Sequence, residues 1–339
     1  MSNVIQAPIR VSPHYLVPEV LLPYQQASGA FEALYQGDPQ VRLGEGDLAV
    51  YVKRLDVRTQ VQEGQFAVNQ LPSCGIAYSE FSTPTYLLRS RAEYDHHDQA
   101  AFGRTGTSLV EAQRLAMRQG IFQQMRNLLL YGARPTNGEG LLNTQGATAL
   151  NLPADPNGNT TISTYDNGAL AFFLLSQISA IKTRTNQMGL PGKFSITTTQ
   201  RILSLISYQG IVQLTQFQRE GAGSKSVRGL VDDVLEWNQD EIVWACDDTL
   251  IGKGAGGTDV ILVNMPEVKK PSGARINTNE FAKLTPGLNA CALQYVDLAA
   301  PREIVSPLAG GAVDVVSELR STSGWGVRPE ALTIVSAGY

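Results

Sequence analysis

The stretch SLVEAQRLAMRQGIFQQMRNLLLY, residues 108–131, is the longest uninterrupted helical pattern in the chain. Ser108-Leu109-Val110-Glu111 reads as a capping box, in which the serine hydroxyl accepts an early amide and the glutamate reaches back to the cap. No proline breaks the run before Pro135, and Gly132 stands where a left-handed C-terminal residue belongs. At about 1.5 Å per residue the helix extends roughly 35 Å, more than one small core needs. Its apolar residues form two rows: Val110, Met117, Ile121 and Leu128 make one, and Leu115, Phe122 and Leu129 the other. Arg114, Arg118 and Met125 lie between the rows, and Gln113, Gln119, Gln123, Gln124 and Asn127 crowd the opposite side. Two rows predict contact with two different bodies. The plainer alternative is one helix lying on a broad sheet in an ordinary monomer.

Upstream, residues 44–94 read as a long two-stranded ribbon. Leu55, Val57, Thr59 and Val61 alternate with charged and amide residues, and the return limb alternates Leu88, Ser90, Ala92 and Tyr94 with Arg89, Arg91 and Glu93. Glu63-Gly64 begins a turn-rich tip containing Pro72 and Gly75. An isolated ribbon of this length is marginal in water, so it needs a surface to lie on, its own body or another subunit. Residues 1–43 are an arm. Pro8, Pro13, Pro18, Pro23 and Pro39 separate apolar pieces too short to bury against one another.

Downstream, Gly138-Glu139-Gly140-Leu141-Leu142-Asn143 leads into a polar loop, 151–161, that marks a domain boundary. A compact α/β region follows. A helix capped by Ser163 or Asp166 runs to about Met188 with Leu170, Phe173, Leu174, Ile178 and Ile181 inward. A strand is expected at 194–198, a helix at 200–207 and a loop-rich connection at 227–240. Buried strands are expected at 242–245 and 259–264 around the glycine-rich turn 252–257, and another near 291–296. The C-terminal part returns to strands at 312–320 and 331–336, with Gly324-Trp325-Gly326-Val327-Arg328-Pro329 as the turn between them.

Composition narrows the function. The chain has 339 residues, a net charge of −4 and an isoelectric point near 5.5, a balance that argues against a dedicated nucleic-acid binder. Charged residues are 17% of the chain, against about 25% in typical soluble domains. Nineteen of the 27 basic residues are arginine, whose planar fork suits interfaces. Both features lean towards assembly. Cys74, Cys246 and Cys291 are odd in number and widely spaced, which argues against a disulfide framework or a zinc site. The start of the chain has no signal-peptide layout and no run is long enough to span a membrane, so a soluble protein made in the cytoplasm is expected.

The search for chemistry returns little. The histidines are His14, His96 and His97, with no G-x-S-x-G elbow to supply a nucleophile. His96-His97-Asp98 reads as a polar segment at the ribbon base, since adjacent side chains diverge and no spaced ligand exists. Residues 221–226 fail the phosphate-loop pattern at Arg219 and Ser224, and 252–257 open no helix. Asp232-Asp233 and Asp247-Asp248 read as solvated turns. Arg114, Arg118 and Arg126 give the long helix a positive balance, suited to inter-subunit ion pairs or to a polyanion. No constellation supports an enzyme.

The order of parts resembles the Hong Kong 97-type major capsid proteins of tailed phages. Leu129-Leu130-Tyr131-Gly132 with Gly140-Leu141-Leu142-Asn143 is similar to that family's spine-helix end, and Gly324-Trp325-Gly326-Val327-Arg328-Pro329-Glu330-Ala331 to its closing turn and strand. The resemblance covers nearly the whole chain in layout. It implies an α+β Hong Kong 97-like capsid fold. In it, 1–43 would be the N-terminal arm, 44–94 the extended loop overlapping a neighbour, 95–145 and 302–339 the peripheral domain, and 146–301 the axial domain. It further implies a shell of hexamers and pentamers enclosing double-stranded DNA, assembled in the host cytoplasm. Its partners would be further copies of itself, a separate scaffolding protein, a portal and a decoration protein. It implies no catalytic residue, cofactor, metal or membrane contact. Some members join a loop lysine to a neighbour's asparagine; Lys53 is the one ribbon lysine here, and no motif marks an asparagine. An encapsulin-like nanocompartment has the same fold and is the first alternative; a soluble enzyme is the second.

Overall fold

The computed structural model describes residues 43–44, 46–58, 75–103, 108–187, 189–208, 226–267, 290–294, 301–308 and 311–339. The arm expected at 1–43, apart from Leu43, the ribbon tip, most of the 221–226 loop, His14 and Cys74 lie outside these residues. In chain order the strands are β1 Ala49–Arg58, β2 Gly75–Tyr94, β3 Thr148–Asn151, β4 Lys193–Thr198, β5 Glu241–Cys246, β6 Asp259–Asn264, β7 Ala292–Leu293, β8 Arg302–Pro307, β9 Val313–Thr322, β10 Trp325–Gly326 and β11 Leu332–Ala337. The helices are α1 His96–Gly103, α2 Leu109–Tyr131, α3 Asn167–Arg184, α4 Gln200–Ser207 and α5 Val227–Trp237.

The long helix forms as its sequence dictates. Ser108 is in extended backbone and its hydroxyl accepts the Glu111 amide at 3.4 Å, while Gly132 closes the helix at φ 68°. The helix ties two sheets together. Its middle turns lay Met117, Ile121 and Met125 on Leu88, Ala92, Tyr94, Val315 and Leu319. Those strand residues share one face of an antiparallel four-stranded sheet, ordered β1-β2-β9-β8. The last turns bury Leu129 and Leu130 completely among Leu141, Leu250, Val260, Leu262 and Leu332, on one face of a five-stranded mixed sheet ordered β3-β11-β6-β4-β5. Removing such leucines from water stabilises the joint by about 1.5–3 kcal/mol each.

The central strand β6 is buried at every position, which explains its continuous apolar run. Val260 and Leu262 meet the helix end. Ile261 and Val263 meet the opposite layer, built from Leu170, Leu174, Ile178 and Ile181 of α3, Ile202 and Ile206 of α4, and Val227, Val231 and Leu235 of α5. The last strand, β11, joins this sheet beside β6, so the chain's end is knitted into the α/β body.

Several local expectations need correction. Residues 227–237 are a helix, not a loop-rich connection: Ser226 caps it by accepting the Gly229 amide at 3.1 Å, and Val227, Val231 and Leu235 recur at helical spacing. Helix α3 stops at Arg184, where Thr185 and left-handed Asn186 turn the chain, short of Met188. β3 and β8 went unread, being short edge strands. β5 is an edge strand whose residues are mostly half-buried. Of the strand expected at 291–296, the described part is only β7. The second apolar row of α2 is buried only at Leu129; Leu115 and Phe122 are each 51% exposed.

Candidate assembly surface

The two short motifs that looked most specific in sequence meet in space. The Gly324 amide donates to the Leu128 carbonyl at 2.9 Å, and the Gly140 amide donates to the Gly324 carbonyl at 2.7 Å. A β-carbon on Gly324 would lie 2.0 Å from the Leu129 carbonyl oxygen, and one on Gly140 would lie 2.4 Å from the Tyr131 carbonyl carbon. Backbone approaches backbone here at distances only glycine permits. Asn143 locks the turn by donating its side-chain amide to the carbonyls of Tyr131 and Glu139.

At the centre of this junction is Glu139, a carboxylate only 8% exposed. It accepts the Tyr86 hydroxyl at 2.9–3.0 Å, the Arg134 amide at 3.0 Å and the Ser323 hydroxyl at 3.0 Å. Three elements are thereby pinned at one point: the middle of β2, the loop after α2 and the turn after β9. Burial, then the hydrogen bond and negative charge of Glu139, push the Tyr86 phenol up to about 12. The sequence showed Gly138-Glu139-Gly140 as a loop but gave no sign of this hub.

From the junction the ribbon projects. β1 pairs with β2 from Ala49↔Pro84 to Arg58↔Gly75. Alternation puts Val50, Val52, Phe81 and Thr83 on one face. Val50 and Val52 pack with Leu43, Ala290 and Val327, and Phe81 makes an edge contact with Trp325 at 6.2 Å. Tyr51, Ile76 and Tyr78 occupy the other face with Lys53 and Glu80, and are 63%, 66% and 58% exposed. An apolar ribbon face with two tyrosines is a surface suited to another protein.

The charged candidates resolve within the chain. Arg114 and Arg118 both reach Glu303 on β8, at 3.1 and 3.2 Å, and Arg126 is buried 3.8 Å from the wholly buried Asp247. The arginines of α2 therefore make pairs within the chain. Asp247 is no solvated turn, since its carboxylate accepts from the Thr249 amide and hydroxyl. Asp248 accepts the Gln200 amide at the start of α4, and Asp232 accepts the Trp244 indole N–H. The His96 and His97 rings lie 3.8 Å apart at a 40° tilt on the exposed helix α1, so these adjacent side chains do not diverge as expected. Among the described residues no group of three or more His, Cys, Asp or Glu side chains is placed to hold a metal ion, and no helix is long and apolar enough to cross a membrane.

A long helix bridging two sheets, a ribbon projecting from one of them and a terminal strand returned to the other make up the α+β architecture. The chain superposes over 96% of its length on 96% of a chain in the capsid of Myoviridae phage XM1, with a TM-score of 0.66 and 12% identity. It matches a chain in the capsid of cyanophage P-SCSP1u at a TM-score of 0.56 and 14% identity, over 96% of this chain and 93% of that one. A chain in the capsid of an empty GTA particle matches at 0.54 and 10%, over 94% and 100%. No protein-family model and no curated protein matches the sequence. The fold is α+β and Hong Kong 97-like, as the resemblance of the two motifs implied.

Proposed function

We propose that this chain is the structural subunit of an icosahedral phage head, the major capsid protein of a tailed phage, which assembles into hexamers and pentamers around double-stranded DNA. The observation that carries the reading is the ribbon's outer face. Tyr51, Ile76 and Tyr78 stand uncovered on a two-stranded element that no described part of the body covers on that side, and a neighbouring copy would supply the missing surface. The Hong Kong 97-like fold over nearly the whole chain supports the same reading. On it, 44–94 carries the extended loop that overlaps a neighbour, with residues 85–94 paired to β9 in the body, 95–145 with 302–339 is the peripheral domain, 146–301 is the axial domain, and β11 ties the last two together. A separate scaffold, a portal and a decoration protein would be partners, and DNA contact would be weak and non-specific, consistent with a net charge of −4.

The test is expression of the full chain, alone and with the neighbouring structural genes, followed by electron microscopy. Closed shells are the expected product. Persistent monomers or dimers under both conditions would overturn the proposal, and closed shells filled with a dedicated protein cargo instead of DNA would redirect it to a nanocompartment.

A further inference from the structure

Between residues 112 and 124 the side of α2 turned away from the sheets carries no charge. The charged residues of this stretch are Arg114 and Arg118, and both are drawn aside to Glu303. Leu115 and Phe122, each 51% exposed, form one flank of the uncharged side. Gln113, half-buried, and Gln124, exposed, form the other, and Ala112, Ala116 and Gly120 lie exposed between the flanks. A surface helix of a monomer turns charged residues to water. This one presents large apolar and neutral amide groups instead.

The charge balance decides what fits there. A polyanion needs cations to displace its counterions, and a charged protein surface needs opposite charge to meet; this side offers neither. A second copy of the same helix does fit. When two identical helices pack antiparallel about a two-fold axis, each flank meets its own kind, so any charge on a flank would meet a like charge. With the axis between residues 118 and 119, Leu115 meets Phe122 of the second copy, Gln113 meets Gln124 and Ala116 meets Gly120, each pair occurring twice. A parallel pair would set the apolar flank on the amide flank. Gly120 supports the same reading. A β-carbon there would meet nothing within 4 Å, so no contact in the subunit requires a glycine that costs a helix interior about 1 kcal/mol.

We infer that the uncharged side of α2 is a self-association surface, on which a second copy of this chain lays its own α2 antiparallel. The contact is one helix face about 18 Å long, which falls short of the roughly 1,200 Å² that stable specific interfaces bury. It is therefore weak alone and adds to contacts that already hold copies together. An icosahedral shell contains two-fold axes on which such a pair can sit, a use that rests on the function proposed above. The contact itself belongs to two copies in solution.

The test uses the full-length chain at a concentration on the order of 1 mM, where weak contacts populate. A photo-reactive benzophenone amino acid at Gln124 is irradiated in a mixture of isotopically light and heavy chains, and mass spectrometry locates what it captures. Light-to-heavy links onto the Leu109–Ala116 stretch of α2 are the expected result. Ala116→Arg should cut their yield by about tenfold or more with the thermal melt unchanged, because Ala116 is exposed. Ala116→Glu should do the same and serves if the arginine variant fails to fold. Mixing the two variants should restore the links, between unlike copies only. Links that land on any other element, links that survive both variants, or no light-to-heavy links at all would overturn the inference. Links found only to another structural protein on co-expression would give the face to that protein and overturn it as well. Electron microscopy of the same samples reads shell formation separately: shells without these links sink the inference and leave the proposed function standing, whereas links without shells do the reverse.

Discussion

The amide of Gly140 donates to the carbonyl of Gly324 at 2.7 Å, joining the loop after the long helix to the turn after β9. Around that bond Leu128 accepts two amides, from Gly132 and Gly324, and the last helical turn is boxed between them. The joint works because three glycines leave no β-carbon in the way.

Substitution of those glycines should therefore be severe. Gly324→Ala drives a methyl group into the Leu129 carbonyl, a backbone atom that cannot rotate aside. The expected cost is about 3 kcal/mol or more in urea unfolding of the unassembled subunit. Gly120→Ala is the control on the same helix. It meets nothing within 4 Å and should stabilise by about 0.5–1 kcal/mol by restricting the unfolded chain.

Glu139 makes an alkaline prediction. The Tyr86 phenol is raised to about 12 in the folded state, so its contribution to stability is complete below the ordinary tyrosine value near 10 and is lost as pH rises from there through about 12. Unfolding free energies measured across that window should fall more steeply for the unsubstituted chain than for Tyr86→Phe. Parallel curves would remove Tyr86 from the account. Glu139→Gln should cost about 1–3 kcal/mol at neutral pH, because its amide group faces donors.

Asp259 makes the opposite, acidic prediction. Burial alone would raise its carboxyl. The Arg201 fork, the Gly252 amide and the Thr199 hydroxyl more than offset burial, and hold it below the ordinary carboxylate value. A lowered folded-state value stabilises above the ordinary carboxylate pH and is lost as pH falls through the folded value. Asp259→Asn should flatten that acid limb while lowering neutral-pH stability, read from denaturation midpoints at a series of pH values.

The uncovered apolar residues separate folding from association. Tyr51→Ser and Tyr78→Ser on the ribbon, and Phe122→Ser on the free side of α2, remove no buried contact within the subunit. Each should change monomer stability by no more than about 0.5 kcal/mol. The ribbon pair should nevertheless abolish particle formation in sedimentation. Assembly at the normal yield would mean that this face touches nothing.

Much of the architecture was legible because it is written in local periodicity. The Ser108 cap, the 3.6-residue recurrence of Met117, Ile121 and Leu128, and the two-residue alternation of Leu88, Ser90, Ala92 and Tyr94 each state a local structure directly. Helix α5 was missed although Val227, Val231 and Leu235 recur at four-residue intervals, because Gly229 and Asp232-Asp233 lend the segment a loop's composition. The hub at Glu139 was beyond reach for a different reason. Ser323 bonds to the Ala133 amide across 190 residues of sequence, and no periodicity encodes a contact between two irregular turns. The free side of Leu115 and Phe122 reads in sequence like any buried row, since pattern reports that a residue is apolar and not what covers it.

The central claim is that this chain builds a shell by laying its ribbon on a neighbour. The most direct measurement is a cryo-electron microscopy reconstruction of particles assembled from the full chain. The account predicts closed icosahedral shells in which Tyr51, Ile76 and Tyr78 are buried against an adjacent subunit. Shells in which that face stays open to solvent, or a chain that remains monomeric or dimeric with its structural partners present, would contradict it.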